Sequence, residues 1–195
     1  RYKEPYLVNP DIPEPAFNGM ITNIDENFGR LRARLAELGL EENTILIFMT
    51  DNGSSGGSEL DENGFVTTGY NAGMRGKKGS YYDGGHRVPF FMRWPAASLK
   101  GGRDVTDISH HVDLLPTFID LCGLGIVEES PFDGTSVAKL IQGDEQQLPD
   151  DRVQFVQYRQ NTNPPEKWDN AVLTRQWRLI GGTELYDIKA DPGQR

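Results

Sequence analysis

The sequence predicts an α/β fold closed by a small antiparallel sheet, and three observations carry that prediction. Apolar residues recur at helical spacing from Phe17 to Leu38. A short apolar run rich in β-formers follows at Thr44 to Thr50, and three strand-like runs parted by turns end the chain.

Phe17, Met20, Ile21, Ile24, Phe28, Leu31, Leu35 and Leu38 fall on one helical stripe, with Asp25, Glu26, Arg30, Arg32 and Arg34 opposite. The extended lead-in "NPDIPEP" and a stop at Gly39 bound the helix. "TILIFMT" has no polar alternation, which predicts a strand covered on both faces, as in a parallel sheet. It ends at Asp51-Asn52-Gly53, the place where open α/β sheets hold ligands. From Gly53 to Gly85 ten glycines and little periodicity predict a long loop, a length that compact domains keep for function or disorder. Val88 to Trp94 resumes as a strand. "HHVDLLPTFIDLCGL" predicts a helix entered through Asp113, with Pro116 in its first turn and Gly123 at its end, and "GTSVAKLIQG" a second short one. "VQFVQY", "NAVLTRQWRLI" and "TELYDI" predict an antiparallel sheet with a turn at Gly181-Gly182.

The 195 residues suffice for one substantial core, and 36% hydrophobic content excludes global disorder. A net charge of -9 argues against nucleic acid or an anionic membrane as main partner, although Arg75 to Lys78, "RGKK", is a local exception. No apolar run reaches the length of a membrane span. The single cysteine, Cys122, excludes an internal disulfide and reads as a small buried packing residue. The chain starts at Arg1 without an initiator Met or signal-peptide pattern and stops without a closing element, so a piece of a longer protein is expected.

Asp51 and Asn52 set a carboxylate beside an amide oxygen, the ligand type of hard cations; the alternative is an ordinary Asp-Asn-Gly turn. "GMRGKKGSYYDGGHRVP", residues 73 to 89, surrounds two lysines with five glycines, which reads as an anion-binding loop or as a solvated linker. Lys77 reads as a surface lysine. Lys78, flanked by Gly79, is the candidate for charge-assisted bonds to a sulfate or phosphate oxygen. His86 reads as a proton donor, an oxyanion contact or a structural residue, and Arg87 as a brace to Asp83 or to a carbonyl. Tyr81 and Tyr82 line a pocket or pack, while His110 and His111 cap or pack. No Gly-x-Ser-x-Gly elbow, His-Glu-x-x-His or Cys-x-x-Cys occurs.

Taken in order, "TILIFMTDNG", "GMRGKKGSYYDGGHRVPFFMRWPA", "ISHHVDLLPTFIDLCGL", "FDGTSVAKLIQG" and "TELYDIKADPG" resemble the C-terminal half of the type I sulfatases, the arylsulfatase family. The resemblance implies the last part of an alkaline phosphatase-like α/β sandwich at 1 to 123 and a small subdomain with an antiparallel sheet and a helix at 124 to 195. It implies Asp51 and Asn52 as ligands of Ca2+, with Mg2+ the alternative. Lys78 matches the family's Lys-Gly-x-x-x-(Asp/Glu)-Gly-Gly block, which implies catalytic contact with the substrate sulfate. The substrate is then an aryl or carbohydrate sulfate ester.

The family's nucleophile is a formylglycine made within Cys/Ser-x-Pro-x-Arg, and no such motif occurs here: Cys122 precedes Gly-Leu-Gly, and Ser130-Pro131 has the wrong spacing. The nucleophile is thus expected upstream of Arg1. The 195 residues alone are expected to be inert and to expose apolar faces and sheet edges. Two rival readings stand. Phosphodiesterases and phosphonate hydrolases of the superfamily usually carry His where this chain has Asn52, and a non-catalytic module could bind sulfated glycans through "RGKK". The resemblance alone points to a periplasmic, secreted or lysosome-like compartment; oligomeric state is not readable.

Overall fold

In the computed structural model, residues 1–99, 102–125, 131–144, 147–158 and 166–195 are described. Ser130, rejected above as a nucleophile, lies outside them.

Helix α1, Pro15–Glu37, follows the predicted stripe, with Pro15 as its first residue and Gly39 at φ 67° beyond its end. A 3-10 turn at Glu4–Tyr6 lies against it. There Tyr6 and Thr22 share a hydrogen bond of 2.5 Å, and a side chain at Gly19 would meet the Lys3 backbone nitrogen at 2.7 Å. Strand β1, Leu46–Met49, packs on α1 through the edge contact of Phe28 and Phe48, ring centres 5.3 Å apart.

The partner of β1 differs from expectation. It pairs antiparallel with β4, Phe90–Arg93, Leu46 opposite Arg93 and Met49 opposite Phe90. Among the described residues no third strand joins this ribbon, and Met49, at 39%, and Phe91, at 65%, are exposed. An apolar run encodes coverage but not the direction of a partner some 40 residues on, so the expectation of a parallel neighbour is corrected for this pair. Ile21, Ile24 and Leu31 of α1 are also exposed, the apolar surface expected from the sequence.

Residues 53–85 are not one irregular loop. They carry a bulged hairpin, β2 (Ser58–Leu60) with β3 (Val66–Gly69), and one helical turn, α2, Asp83–His86. Strands of three and four residues are too short to print a period of two on the sequence.

Helix α3, Leu114–Cys122, ends at Gly123 with φ 60°, and α4, Ala138–Gln142, ends at Gly143 with φ 83°. Buried Thr117 ties them, donating to the Asp113 carbonyl at 2.6 Å and accepting from the Val137 N–H at 2.9 Å. Val137, Leu140 and Leu148 form the adjacent core. Cys122 is exposed at the end of α3, not buried as its apolar neighbours predicted. The helix buries Pro116 and Thr117 instead.

The chain closes in an antiparallel meander, β5 (Gln154–Val156), β6 (Ala171–Leu173), β7 (Trp177–Ile180) and β8 (Glu184–Asp187), in that order. Gly181 and Gly182, at φ 59° and 71°, make the predicted turn. Ala171, Leu173 and Ile180 form its buried face, and Tyr81 and Tyr82 of the glycine-rich segment pack onto it. Among the described residues no helix is long and apolar enough to cross a membrane.

Candidate active site

Strand β1 delivers Asp51 and Asn52 to its C-terminal end, and the backbone beyond them is bonded to the glycine-rich segment. The Gly53 N–H donates to the Gly85 carbonyl at 2.9 Å, and the Lys78 N–H donates to the Ser54 carbonyl at 2.9 Å. These two bonds join the strand end to the loop at both of its arms. The approach is possible only for glycine: a Cβ on Gly53 would lie 1.8 Å from the Gly84 carbonyl oxygen, and one on Gly85 2.1 Å from that of Ser80. Asp51 and Lys78 are exposed and Asn52 half-buried, and the three side chains meet no hydrogen-bond or charged partner among the described residues.

The loop behind Lys78 is fixed by the closing sheet. Asp83 is fully buried, accepts a 3.0 Å hydrogen bond from Arg178 Nε of β7 and donates its N–H to Gln194 Oε1 at 2.8 Å. Arg87 also faces it, but at 3.7 Å and from an exposed position. The brace anticipated from Arg87 is therefore supplied mainly by Arg178. Arg75 lies over the Tyr82 ring at 4.0 Å and donates to Tyr186 at 2.8 Å and Glu184 at 3.3 Å on β8. Tyr186 and Tyr82 both donate to Glu184. The bond from Tyr186 holds the Glu184 carboxyl below its ordinary range, while burial and that same carboxylate push the Tyr186 hydroxyl up to about 12.

Tyr81 packs in the core and donates to Asp169 at 2.7 Å. His86 Nε2 donates to the Tyr81 carbonyl at 3.1 Å, and burial lowers its pKa, so it serves the loop as a neutral structural group. The His110 N–H donates to Asp113 at 2.7 Å in a capping box, as one of its two readings had it.

Among the described residues, the arrangement offers an unpaired ammonium and two unpaired oxygen-bearing side chains on one bonded junction. Their chemistry fits an anion and a hard cation. Among the described residues no group of three or more His, Cys, Asp or Glu gathers as a metal cluster. Asp51 and Asn52 are two oxygen-bearing side chains, fewer than the six to eight oxygens that Ca2+ takes. The positioning residues Arg178, Glu184, Tyr186 and Gln194 escaped sequence reasoning; the nearest signal was the block "TELYDIKADPG", which carries two of them.

The family model for sulfatases matches residues 15–124, and that for the C-terminal part of N-sulphoglucosamine sulphohydrolase matches residues 76–195. The chain belongs to the sulfatase family. This sulfatase chain is 35% identical over 131 residues to steryl-sulfatase of Mus musculus, covering 67% of the chain and 21% of that relative. It is 30% identical over 178 residues to N-acetylglucosamine-6-O-sulfatase of Bacteroides thetaiotaomicron, covering 87% and 29%. Among solved structures, that of Ps i-CgsB in complex with k-i-k-neocarrahexaose superposes with a TM-score of 0.76 at 26% identity over 98% of this sulfatase chain and 40% of the other. That of BT4656 with its substrate D-glucosamine-2-N,6-O-disulfate gives 0.68 at 26% over 92% and 35%. The fold is therefore that of the sulfatases, of which this chain spans well under half.

Proposed function

We infer that this chain is the part of a sulfate-ester hydrolase that grips the sulfate group, with Lys78 as its cationic contact and Asp51 and Asn52 as ligands of a divalent cation. The observation that supports the reading is the double backbone bond of the junction, Gly53 to Gly85 and Lys78 to Ser54, in a chain of the sulfatase family. It ties the Lys78 backbone to the segment that follows Asp51 and Asn52, which supports reading the three residues as one site.

The Lys78 ammonium donates charge-assisted hydrogen bonds to a sulfate oxygen, offsetting the negative charge that gathers around sulfur as the nucleophile adds and the bond to the departing alcohol oxygen breaks. Asp51 and Asn52 would hold Ca2+, or Mg2+ in its place, through their side-chain oxygens. A cation bound there would supply Lewis-acid polarisation of the sulfate. Attack on sulfur also needs a nucleophile, and no Cys/Ser-x-Pro-x-Arg sequence occurs in these 195 residues. The nucleophile then comes from other sequence of the same protein, and the 195 residues by themselves do not turn over. A carbohydrate sulfate is the favoured substrate, on the strength of the N-acetylglucosamine-6-O-sulfatase relative and the disulfated glucosamine complex.

The test is steady-state hydrolysis by the intact protein of glucosamine 6-sulfate and of a phosphodiester of comparable size. Lys78→Ala should lower kcat/KM on the sulfate by about 100- to 1,000-fold, the loss expected for one preorganised donor to a developing oxyanion. Lys77→Ala, an exposed neighbour, should leave it within about twofold. Preference for the phosphodiester, or equal effects of the two substitutions, would overturn the reading.

A further inference from the structure

We propose that Arg178, on the third strand of the closing sheet, is a positioning residue that sets the Lys78 loop through the buried carboxylate of Asp83. The proposal rests on the reading of Lys78 as the sulfate contact and extends it to a residue of the far sheet.

The geometry forms an unbroken relay. The Arg178 side chain is 10% exposed, and its Nη1 donates to the Thr174 carbonyl at 2.6 Å and to the Trp177 carbonyl at 3.1 Å. Its own hairpin therefore orients the guanidinium fork. Nε of that fork meets Asp83 Oδ1 at 3.0 Å, and Asp83 opens α2. The next two residues have no room to move: a Cβ on Gly84 would lie 2.3 Å from the Gly76 carbonyl oxygen, and the Gly84 N–H is bonded to the Arg75 carbonyl at 2.8 Å. Gly85 in turn holds Gly53, two residues beyond Asp51, while Lys78 lies inside the same closed loop. Displacement of Asp83 is thus passed to both halves of the junction.

A buried ion pair is a poor source of net stability, since well-packed apolar groups of similar volume often do as well. What the pair supplies is one fixed geometry. A buried carboxylate cannot be left without its cation at little cost, so Asp83 follows Arg178. The Arg75 side chain, bonded to Glu184 and Tyr186, tethers the start of the loop to the neighbouring strand, whereas the guanidinium hydrogen-bonded to the Asp83 carboxylate is that of Arg178.

The experiment compares Arg178→Gln, Arg178→Lys and the core variant Leu140→Ala in the intact protein. Hydrogen exchange is followed by mass spectrometry, and kcat and KM are measured on p-nitrophenyl sulfate. For Arg178→Gln, exchange across residues 76–85 should accelerate by about tenfold or more while α1 stays within about twofold of wild type. Its kcat/KM should fall by about 100-fold, most of it in kcat, as expected for a misplaced group. Arg178→Lys keeps the charge and loses the fork, so it should fall between. Leu140, in the separate core with Val137 and Leu148, should lose thermal stability on truncation without changing either local exchange or kcat.

Unchanged exchange at 76–85, or an equal kcat loss in Leu140→Ala at the same fall in melting temperature, overturns the proposal. Should Arg178→Gln not accumulate in folded form, Arg178→Lys decides by the same readouts. Exchange reads the relay independently of turnover, so a wild-type protein inactive on sulfate esters sinks the proposed function while exchange alone decides the relay.

Discussion

Gly53 is the point at which the smallest change should separate the two halves of the junction. A methyl group there would sit 1.8 Å from the Gly84 carbonyl oxygen, 2.8 Å from its carbon and 3.0 Å from the Gly85 carbonyl carbon. All three are backbone atoms, so no flexible side-chain end can yield. To bring the oxygen contact out to 3.0 Å the gap must open by about 1.2 Å, which also breaks the 2.9 Å bond from the Gly53 N–H to Gly85. Overpacking with backbone displacement costs about 1 to 3 kcal/mol, and a lost hydrogen bond adds about 0.5 to 1.5 kcal/mol. Gly53→Ala should therefore destabilise the intact protein by roughly 2 to 4 kcal/mol, read as a lower urea midpoint at unchanged slope. Because the shift moves Asp51 and Asn52 away from Lys78 by about 1 Å, kcat/KM on a sulfate ester should fall on the order of 100-fold. Gly29→Ala is the control: its methyl meets nothing within 4 Å, and a helix-interior alanine should add about 0.5 to 1 kcal/mol. A Gly53→Ala protein with the wild-type midpoint, or one that is destabilised yet fully active, would refute the idea that this close approach sets the site.

Two further outcomes follow. Asp51→Asn removes the one formal negative charge of the Asp51-Asn52 pair and should weaken Ca2+ binding to the intact protein by at least about tenfold by titration calorimetry, equivalent to about 1.4 kcal/mol; unchanged affinity would remove Asp51 from the ligand set. The Tyr186 hydroxyl, raised from 10.0 to about 12, stabilises the fold fully below pH 10.0 and loses that contribution as pH rises towards about 12, so Tyr186→Phe should flatten the stability loss in that window, followed by thermal melting across pH.

The elements legible in the sequence were those whose signal is local. Helix α1 announced itself by eight apolar residues at helical spacing, and Gly39, Gly123 and the Gly181-Gly182 turn were legible because left-handed backbone selects glycine. The β2–β3 hairpin was not, since strands of three and four residues hold too few alternations. The direction of β1 was misread for a different reason. A fully apolar strand and a parallel one look alike in composition, while pairing with β4 is settled by chain far away. Cys122 was misread because apolar neighbours in sequence do not show which side of a short helix turns inward.

The candidate site divides along the same line. Asp51, Asn52 and Lys78 are candidates by residue type, because a carboxylate, an amide and an ammonium carry their chemistry wherever they stand, and their expected roles come from the resemblance to the sulfatases. What orders them is carried by bonds across 95 residues, from Arg178 to Asp83, and across 109, from Arg75 to Glu184, and no local pattern encodes such partners. Lys77 and Lys78 show the consequence at single-residue resolution. Both are exposed lysines in one glycine-rich loop, and residue type alone cannot rank them. The Lys77 carbonyl is spent inside the loop on the Ser80 N–H, at 2.9 Å, whereas the Lys78 N–H crosses to Ser54 beyond the strand end. The Lys78 backbone is thereby bonded to the segment just past Asp51 and Asn52, and the fold adds this asymmetry to the motif match that already separated the two lysines.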